Sequence, residues 1–518
     1  MVRPDAAATV CFAGLGPGEV VDHSTHVWRT DWHGRPWQET VILEAHVGSF
    51  TPQGTFRSAI DKLDYLVETG MTALELMPVA DFVGRRNWGY DGVLWYAPDS
   101  AYGRPEDLKM LVDAAHERGV MVFLDVVYNH FGPEGNYLGR YAPEFFAEAH
   151  TPWGSAIDFR RAEVRAFAIE SALTWLDDYR FDGLRLDAVH AMVEPGRMEM
   201  LRDLSLAAGR LAAATNRHIH LMLENDDNTA ALLAPGVPLP HGKYRAQWND
   251  DYHHAWHVLL SGESHGYYRD YRKAPLQHIA RALGSGFVYQ GEPSEHRGGH
   301  PRGEPSQALS PLAFINFLQN HDQIGNRALG DRLAASARPE AVEAALAITL
   351  LAPTIPMLFM GEEWGSTKPF PFFCDFTGDL AEAVRSGRKQ EFADAYAQYG
   401  SEVPDPIDES TLHAARIDWD THRIPAVQRR LKLVRDLLAV RRRELFPLLA
   451  DAKFGSAQAR GSGLLTADWR LGDGSRLTLV ANLSDGETAY ADPHGGTRIW
   501  GGELTGSLPP WMVSWRIE

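Results

Sequence analysis

The chain has 518 residues, 44% of them hydrophobic and 23% charged, which is enough to bury a large core spread over two or three structural units. Asp and Glu number 68 against 50 Lys and Arg, so the net charge of -18 disfavours nucleic acid or an anionic membrane surface as a partner. With two cysteines, no apolar run of roughly 20 residues and a poor signal peptide, we expect a cytoplasmic protein with free thiols.

From residue 41 onward, short apolar runs rich in β-branched residues alternate with amphipathic helical stretches, while residues 1–40 are interpreted as an N-terminal extension. The alternation is typical of βα units around a parallel sheet. Eight runs are predicted to be strands: 41–50, 73–79, 120–130, 181–190, 218–226, 244–250, 314–322 and 355–363. The sequence therefore predicts an α/β fold, a (β/α)8 TIM barrel spanning residues 41–445.

Two further regions depart from this repeat. Residues 131–160, rich in Gly, Pro and aromatic residues, are too long for a simple connection and predict a small inserted subdomain after the third strand. Residues 364–422 are predicted to be irregular, followed by a strongly periodic helix over 423–445 whose "RRRE" end is expected to be solvated. Residues 450–518 alternate as short strands and predict a C-terminal antiparallel β domain.

Several predicted strands end in acidic, amide or basic residues. They are Asp125, Asn129, His130, Arg185, Asp187, His190, Glu224, Asn225, His321 and Asp322. The C-terminal ends of barrel strands meet at one face, and carboxylates brought close together raise each other's pKa. One protonated and one ionised carboxyl group are the apparatus of glycosidic bond cleavage. Arg185, two residues before Asp187 on the same strand face, would keep that carboxylate ionised and oriented.

Four of these segments, "DVVYNH", "GLRLDAVH", "LMLEND" and "FLQNHD", resemble in order and spacing the four signature regions of the α-amylase superfamily of glycoside hydrolases. The resemblance covers residues 41–445. It implies that Asp187 is the nucleophile, Glu224 the general acid/base and Asp322 the stabiliser of the transition state. It also places Arg185, His130 and His321 around the sugar that is cleaved, and implies retention of anomeric configuration through a covalent intermediate.

A narrower resemblance rests on "HVGSFTPQGTF", "NWGYDGV", "HTPWGSAIDF" and "QWNDDYHH", which are similar to segments of the maltooligosyltrehalose trehalohydrolase family. It implies cleavage of the α-1,4 bond next to the trehalose end of maltooligosyl trehalose, in functional partnership with a maltooligosyltrehalose synthase. Tyr90 would stack on the sugar and His190 would bind substrate. The residues expected to read the trehalose end are Trp248, Asp250, Asp251 and His253.

Members of that family usually begin with a β-sandwich, whereas only about 40 residues precede the first predicted strand here. We expect an intact catalytic barrel. The stretch "THVWRTDWHGRPW" resembles the linker that follows the sandwich.

Two alternatives stay open. The chain could be another α-1,4-glucan-active hydrolase or transglycosylase of the amylase or branching type. A noncatalytic sugar-binding protein is a third reading, against which the complete acid set argues. His253 and His257 share a helix face, which would suit zinc, but substrate contact or surface structure is the preferred interpretation; we expect neither metal nor cofactor.

Overall fold

Eight parallel strands close into a barrel in the computed structural model, which describes residues 8–11, 18–234, 243–461, 463–491 and 495–518. The strands are β1 (Ile42–Ala45), β2 (Ala73–Leu76), β3 (Met121–Val126), β4 (Gly183–Leu186), β5 (His220–Leu223), β6 (Ala246–Trp248), β7 (Phe314–Asn316) and β8 (Ile355–Phe359). Each pairs with the next, and β8 pairs with β1. The predicted TIM barrel is confirmed.

All eight strands are shorter than the apolar runs that predicted them. The strand predicted at 41–50 ends at Ala45, and Val47–Phe50 forms one helical turn. Both parts are fully buried, so hydrophobicity alone does not separate strand from helix here. At the start of β4, Gly183 is required by close packing, because a Cβ there would lie 2.2 Å from the carbonyl oxygen of His220.

Helices surround the barrel. The main helices between β1 and β7 are, in chain order, Phe56–Ile60, Leu63–Thr69, Pro105–Glu117, Ala162–Leu173, Arg197–Thr215, Asp250–Ser261 and Pro275–Ser285. Those after β7 are His321–Gly325, Leu333–Ser336 and Pro339–Leu351. Gly70, which ends the second of these helices, has φ of 101° and donates its N–H to the Leu66 carbonyl. Among the described residues, no helix combines the length and apolar composition that a bilayer span requires.

The connection after β3 contains a short helix, Leu138–Tyr141, and a hairpin of strands Phe146–Thr151 and Gly154–Ile157. Three other two-stranded pairs accompany the barrel: Ala8–Cys11 with Gly18–Val21, Ala80–Asp81 with Leu94–Pro98, and Glu292–Pro293 with Pro301–Arg302. The hairpin lies inside the segment predicted to be an insert.

The prediction that residues 364–422 are irregular is wrong. They contain the helices Gly378–Glu391, Ala393–Tyr399 and Glu409–Ala415. The first of these buries only Ala381, so its sequence lacks the apolar stripe by which a helix is predicted.

The segment that resembles a linker packs under the N-terminal end of the barrel. The Trp32 indole donates to the buried carboxylate of Asp182 at 2.6 Å. Trp37, 4% exposed, donates to the Leu312 carbonyl at 2.8 Å and lies beside Phe123 and His220. These two indoles therefore tie residues 25–37 to the floor of the barrel.

The C-terminal sheet has five antiparallel strands: β9 (Lys453–Arg460), β10 (Leu464–Arg470), β11 (Arg476–Asn482), β12 (Thr497–Gly501) and β13 (Val513–Ile517). Their order is β9-β10-β11-β13-β12, and Thr488–Ala489 pairs separately with Ser507–Leu508. Trp469 and Trp515, 5.5 Å apart and stacked, donate to the carbonyls of Leu283 and Ala347 in two barrel helices. The sheet is thus attached to the barrel by buried hydrogen bonds.

The helix predicted over 423–445 spans Pro425–Val440. The prediction that its "RRRE" end is solvated is wrong for Arg441. Arg441 is 0% exposed, and its guanidinium donates to the carbonyls of Leu350, Ala352 and Thr354 at 2.6–3.0 Å. The basic residue therefore complements the C-terminus of a different helix, Pro339–Leu351, which periodicity within one segment does not reveal.

We expect Arg441→Met to lower the free energy of unfolding by about 3 kcal/mol or more, because buried carbonyls left unpaired cost about 1–3 kcal/mol each. Differential scanning fluorimetry should show a lower Tm for this variant. Arg443→Met, whose side chain is 65% exposed, is the matched control and should leave the Tm unchanged. Equal Tm values for the two variants would contradict the capping role.

Candidate active site

Arg185 lies at the centre of the barrel mouth, at the penultimate position of β4. Its Nη1 donates to Asp125 at 2.6 Å and to Asp187 at 2.8 Å, and its Nη2 donates to Glu224 at 2.9 Å. The guanidinium carbon lies 4.1 Å from the centre of the Trp248 ring. One arginine thus holds carboxylates from the ends of β3, β4 and β5 together.

Asp187 follows β4 and is held in its ionised form. One of its oxygens accepts from Arg185 and the other from the Asn129 amide at 2.8 Å. Burial acts to raise the pKa of Asp187, but the charges of Arg185 and His130 and these hydrogen bonds outweigh it and lower the pKa below 3.8. With 12% of its side chain exposed, this carboxylate faces the opening.

Glu224 follows β5. Its surroundings shift its pKa upward, whereas those of Asp187 shift the pKa of Asp187 downward. Burial raises its pKa well above 4.5, and although Arg185 opposes this, the neighbouring carboxylates of Asp187, Asp250 and Asp322 raise it further. Its Oε2 accepts from Arg185 and from the backbone N–H of Ala188 at 2.8 Å. Two carboxyl groups on one guanidinium therefore have pKa values shifted in opposite directions.

Asp322 lies on the same mouth, in the first turn of the helix that follows β7. Asn320 caps that turn by accepting from the backbone N–H of Asp322 at 2.9 Å, and Asn326 donates to its carboxylate at 2.7 Å. Burial raises the pKa of Asp322, and the charges of Asp187 and Glu44 add to this effect. The three acids predicted from sequence are thus brought together.

The aromatic and histidine residues predicted around the cleaved sugar also meet here. The Tyr90 hydroxyl donates to Asp125 at 2.7 Å and lies 2.8 Å from Nε2 of His321, and the two rings stack 5.2 Å apart. His130 lies close to Asn129, and its Nε2 is 2.9 Å from the Tyr90 carbonyl oxygen. His190 is half-buried and accepts from the backbone N–H of Asp226 at 3.2 Å.

Of the four residues predicted to read the trehalose end, the structure brings only Asp250 to the pocket. This carboxyl group accepts from Gln323 at 3.1 Å, and burial, with the charges of Asp226 and Asp322, raises its pKa to about 7. Trp248 is 1% exposed and supports Arg185 from beneath. A direct contact between Trp248 and substrate does not agree with this placement.

The other two residues are buried behind the pocket, and their predicted sugar contacts do not agree with the structure. Asp251 is 0% exposed; its oxygens accept from Arg302 at 2.7 Å and from the backbone N–H of Val288 at the same distance. His253 is 1% exposed, between the Leu318 carbonyl and the Tyr268 hydroxyl. Adjacent residues on a helix point to different sides, and the motif alone does not show which of them faces the pocket.

Sequence reasoning missed the residues that support the site from other elements. Glu44, at the end of β1, is 1% exposed and bonded to His321. Arg302 pairs with both Asp226 and Asp251, and so ties the segment after Glu224 to the helix that carries Asp250. The signal available for Glu44 was its charge inside the apolar run of β1. The sequence gives no comparable signal for Arg302, because its segment shows no hydrophobic periodicity.

Within the described ranges, no group of three or more His, Cys, Asp or Glu side chains has an arrangement that could hold a metal ion. The clustered carboxylates are instead paired with Arg185, Asn129 and His321. Paired carboxylates of this kind can transfer protons and act as nucleophiles.

Comparisons with known proteins agree with this geometry. The family model described as the alpha amylase catalytic domain matches residues 29–143, and one described as a domain of unknown function, DUF3459, matches residues 452–515. A crystal structure from Salmonella typhimurium described as an alpha amylase superposes with a TM-score of 0.92 at 43% identity, covering 100% of this chain and 88% of that one.

Several relatives carry the name malto-oligosyltrehalose trehalohydrolase. The protein from Deinococcus radiodurans is 44% identical over 494 residues, which is 94% of this chain and 80% of that protein. The protein from Mycobacterium tuberculosis is 42% identical over 422 residues, 80% of this chain and 72% of that protein. With these identities over most of both chains, the protein belongs to the malto-oligosyltrehalose trehalohydrolase family.

Proposed function

We propose that this protein is a retaining glycoside hydrolase that cleaves the α-1,4 bond next to the trehalose end of maltooligosyl trehalose. The observation that carries the proposal is that Arg185 donates hydrogen bonds to both Asp187 and Glu224, while the pKa values of these two acids are shifted in opposite directions. A low pKa suits a nucleophile and a high pKa suits a general acid. The names of the relatives supply the substrate.

In the first step, an oxygen of Asp187 attacks the anomeric carbon while Glu224 gives its proton to the departing glycosidic oxygen. The C–O bond to the trehalose unit breaks, and trehalose leaves with that proton. A covalent maltooligosyl ester on Asp187 remains. Asp322, on the same pocket, is proposed to stabilise the positive charge that develops on the sugar ring.

In the second step, the Glu224 carboxylate takes a proton from water as the water oxygen attacks the anomeric carbon. The ester bond to Asp187 breaks, the maltooligosaccharide leaves with its original anomeric configuration, and Glu224 is again protonated. The residues proposed to bind the sugars are Tyr90, His130, Arg185, His190, Asp250 and His321.

The biological setting is proposed on chemical grounds. The substrate has to be made by an enzyme that forms a trehalose end on a maltooligosaccharide, and we propose a maltooligosyltrehalose synthase as this functional partner. A cytoplasmic location is proposed from the composition, because two cysteines are too few for a disulfide framework. Cys374 is a buried free thiol, in keeping with that setting.

We expect incubation with maltooligosyl trehalose to yield trehalose and a maltooligosaccharide, identified by chromatography. Plain maltooligosaccharides of equal length and starch are the control substrates and should react much more slowly. The likeness to the Salmonella protein described as an alpha amylase favours amylase-type cleavage as the second candidate. If reducing maltose dominates the products from every substrate, that second candidate is correct.

A further inference from the structure

Glu44 accepts two hydrogen bonds from His321, the residue that precedes Asp322. One of its carboxylate oxygens accepts from Nδ1 of the His321 ring, and the other accepts from the backbone N–H of His321 at 3.1 Å. The side chains of Glu44 and His321 are 1% and 3% exposed. Both oxygens of a buried carboxylate at the end of β1 are thus used on a single histidine after β7.

The second nitrogen of the ring faces an acceptor as well. Nε2 of His321 lies 2.8 Å from the Tyr90 oxygen, and the one proton of that hydroxyl is donated to Asp125 at 2.7 Å. The Tyr90 oxygen therefore has only a lone pair to offer His321. Because one ring nitrogen faces a carboxylate and the other faces a hydroxyl that accepts, both nitrogens must carry hydrogen.

We propose that Glu44 is a positioning residue that keeps His321 as an imidazolium and so places a second positive charge, beside Arg185, among the carboxylates of the pocket. The Nε2–H is then a charged donor to the Tyr90 oxygen and so holds the Tyr90 hydroxyl in place, and the backbone N–H of His321, next to Asp322, is fixed by the same carboxylate. The effect on turnover rests on the proposed function; the charge of the ring does not.

The surrounding charges support this assignment. Burial acts to lower the pKa of His321, but the charge and hydrogen bond of Glu44, with the charge of Asp322, outweigh it and raise the pKa above 6.5. Other ionisable groups of the described elements around His321, Glu44 and Asp322 are His46, Glu75, Tyr90, Asp125, Arg185 and Asp187.

Two of these groups have pKa values shifted toward the neutral form. Burial lowers the pKa of His46 to about 4, so this ring is neutral at pH 7. Burial raises the pKa of Glu75 well above 4.5, and the charges of Glu44 and Asp125 raise it further, which favours its protonated form. Glu75 is paired in register with Glu44 on the adjacent strand, yet only Glu44 is bonded to His321.

The test is the protonation state of the His321 ring in the full chain, measured by NMR with ¹⁵N-labelled histidine and assigned by comparison with His321→Asn. At pH 7.5, where an ordinary histidine is mostly neutral, both ring nitrogens of His321 should give imidazolium shifts. A neutral tautomer in the unmodified protein at that pH would overturn the proposal without any Glu44 variant having to fold.

Glu44→Gln keeps the shape of the side chain but offers one acceptor oxygen and an amide donor. We expect the imidazolium signal at pH 7.5 to be lost and kcat on maltooligosyl trehalose to fall about 10- to 100-fold, the range of one charge-assisted hydrogen bond. Because the ring regains its proton in acid, the deficit should shrink at pH 5.5. Retention of the imidazolium at pH 7.5 in this variant would overturn the proposal.

Glu75→Gln is the matched control, since it changes a buried glutamate on the adjacent strand that has no bond to the histidine. It should keep both the imidazolium signal and the pH profile, and loss of the signal here would assign the effect to buried acids in general and reject the role of Glu44. If the unmodified protein releases no trehalose, the proposed function fails, while the NMR result still decides the charge of His321.

Discussion

Asp187→Asn should reduce kcat on the order of 10⁴-fold or more, because an amide oxygen is a poor nucleophile and no ester with the sugar can form. Substrate binding should persist, since Asn has nearly the same shape and can still accept a hydrogen bond from Arg185 or Asn129. The measurements are the rate of trehalose release and the Kd for maltooligosyl trehalose by calorimetry.

The matched control for this prediction is Asp61→Asn, which makes the same chemical change at an exposed carboxylate directly after the helix Phe56–Ile60. It should leave both kcat and Kd unchanged. An Asp187→Asn enzyme that retains normal turnover would reject Asp187 as the nucleophile, whereas simultaneous loss of turnover and binding would show that the substitution disturbs the pocket itself.

Glu224→Gln should reduce kcat for maltooligosyl trehalose by about 10²- to 10⁴-fold, the usual contribution of a general acid/base. With a nitrophenyl maltooligoside the leaving group needs no proton, so the first step should stay fast and the second step should stay slow. Rapid mixing should therefore show a burst of nitrophenol close to one equivalent of enzyme. Equal loss of the first step for good and poor leaving groups would contradict the acid role.

The same residue sets the alkaline side of the pH profile. Burial and the adjacent carboxylates raise the pKa of Glu224, so the acid form persists above its usual range and the rate falls only as pH rises through that raised pKa. Asp187, whose pKa is lowered, limits the rate only well into acid. In Glu224→Gln, the burst rate with the nitrophenyl substrate should depend less on alkaline pH.

The barrel and the three central acids were predictable because their signals are local. Each apolar run ends in polar residues, and a barrel brings all such ends to one face. Two features escaped prediction because they depend on contacts between residues far apart in the chain. Arg441 caps a helix that lies about 90 residues earlier in the chain, and Glu44 acts on a histidine 277 positions away.

The sequence also does not show which residues line the outer part of the pocket. Asp250 and Asp251 are adjacent and chemically identical in the sequence, yet one lines the pocket and the other is buried in a structural ion pair with Arg302. Which of the two faces the substrate depends on the rotation of the helix Asp250–Ser261, and this is set by packing against segments that no local pattern identifies.

The hydrogen bonds that Trp469 and Trp515 make to barrel helices bear on how the polypeptide folds during its synthesis. The barrel closes only when β8 reaches β1, so the emerging chain must carry more than 300 residues with an unpaired strand edge. The helix surface under Trp515, which lies on β13, stays uncovered until that strand has left the ribosome. Truncation near the C-terminus should thus favour aggregation of the nascent protein.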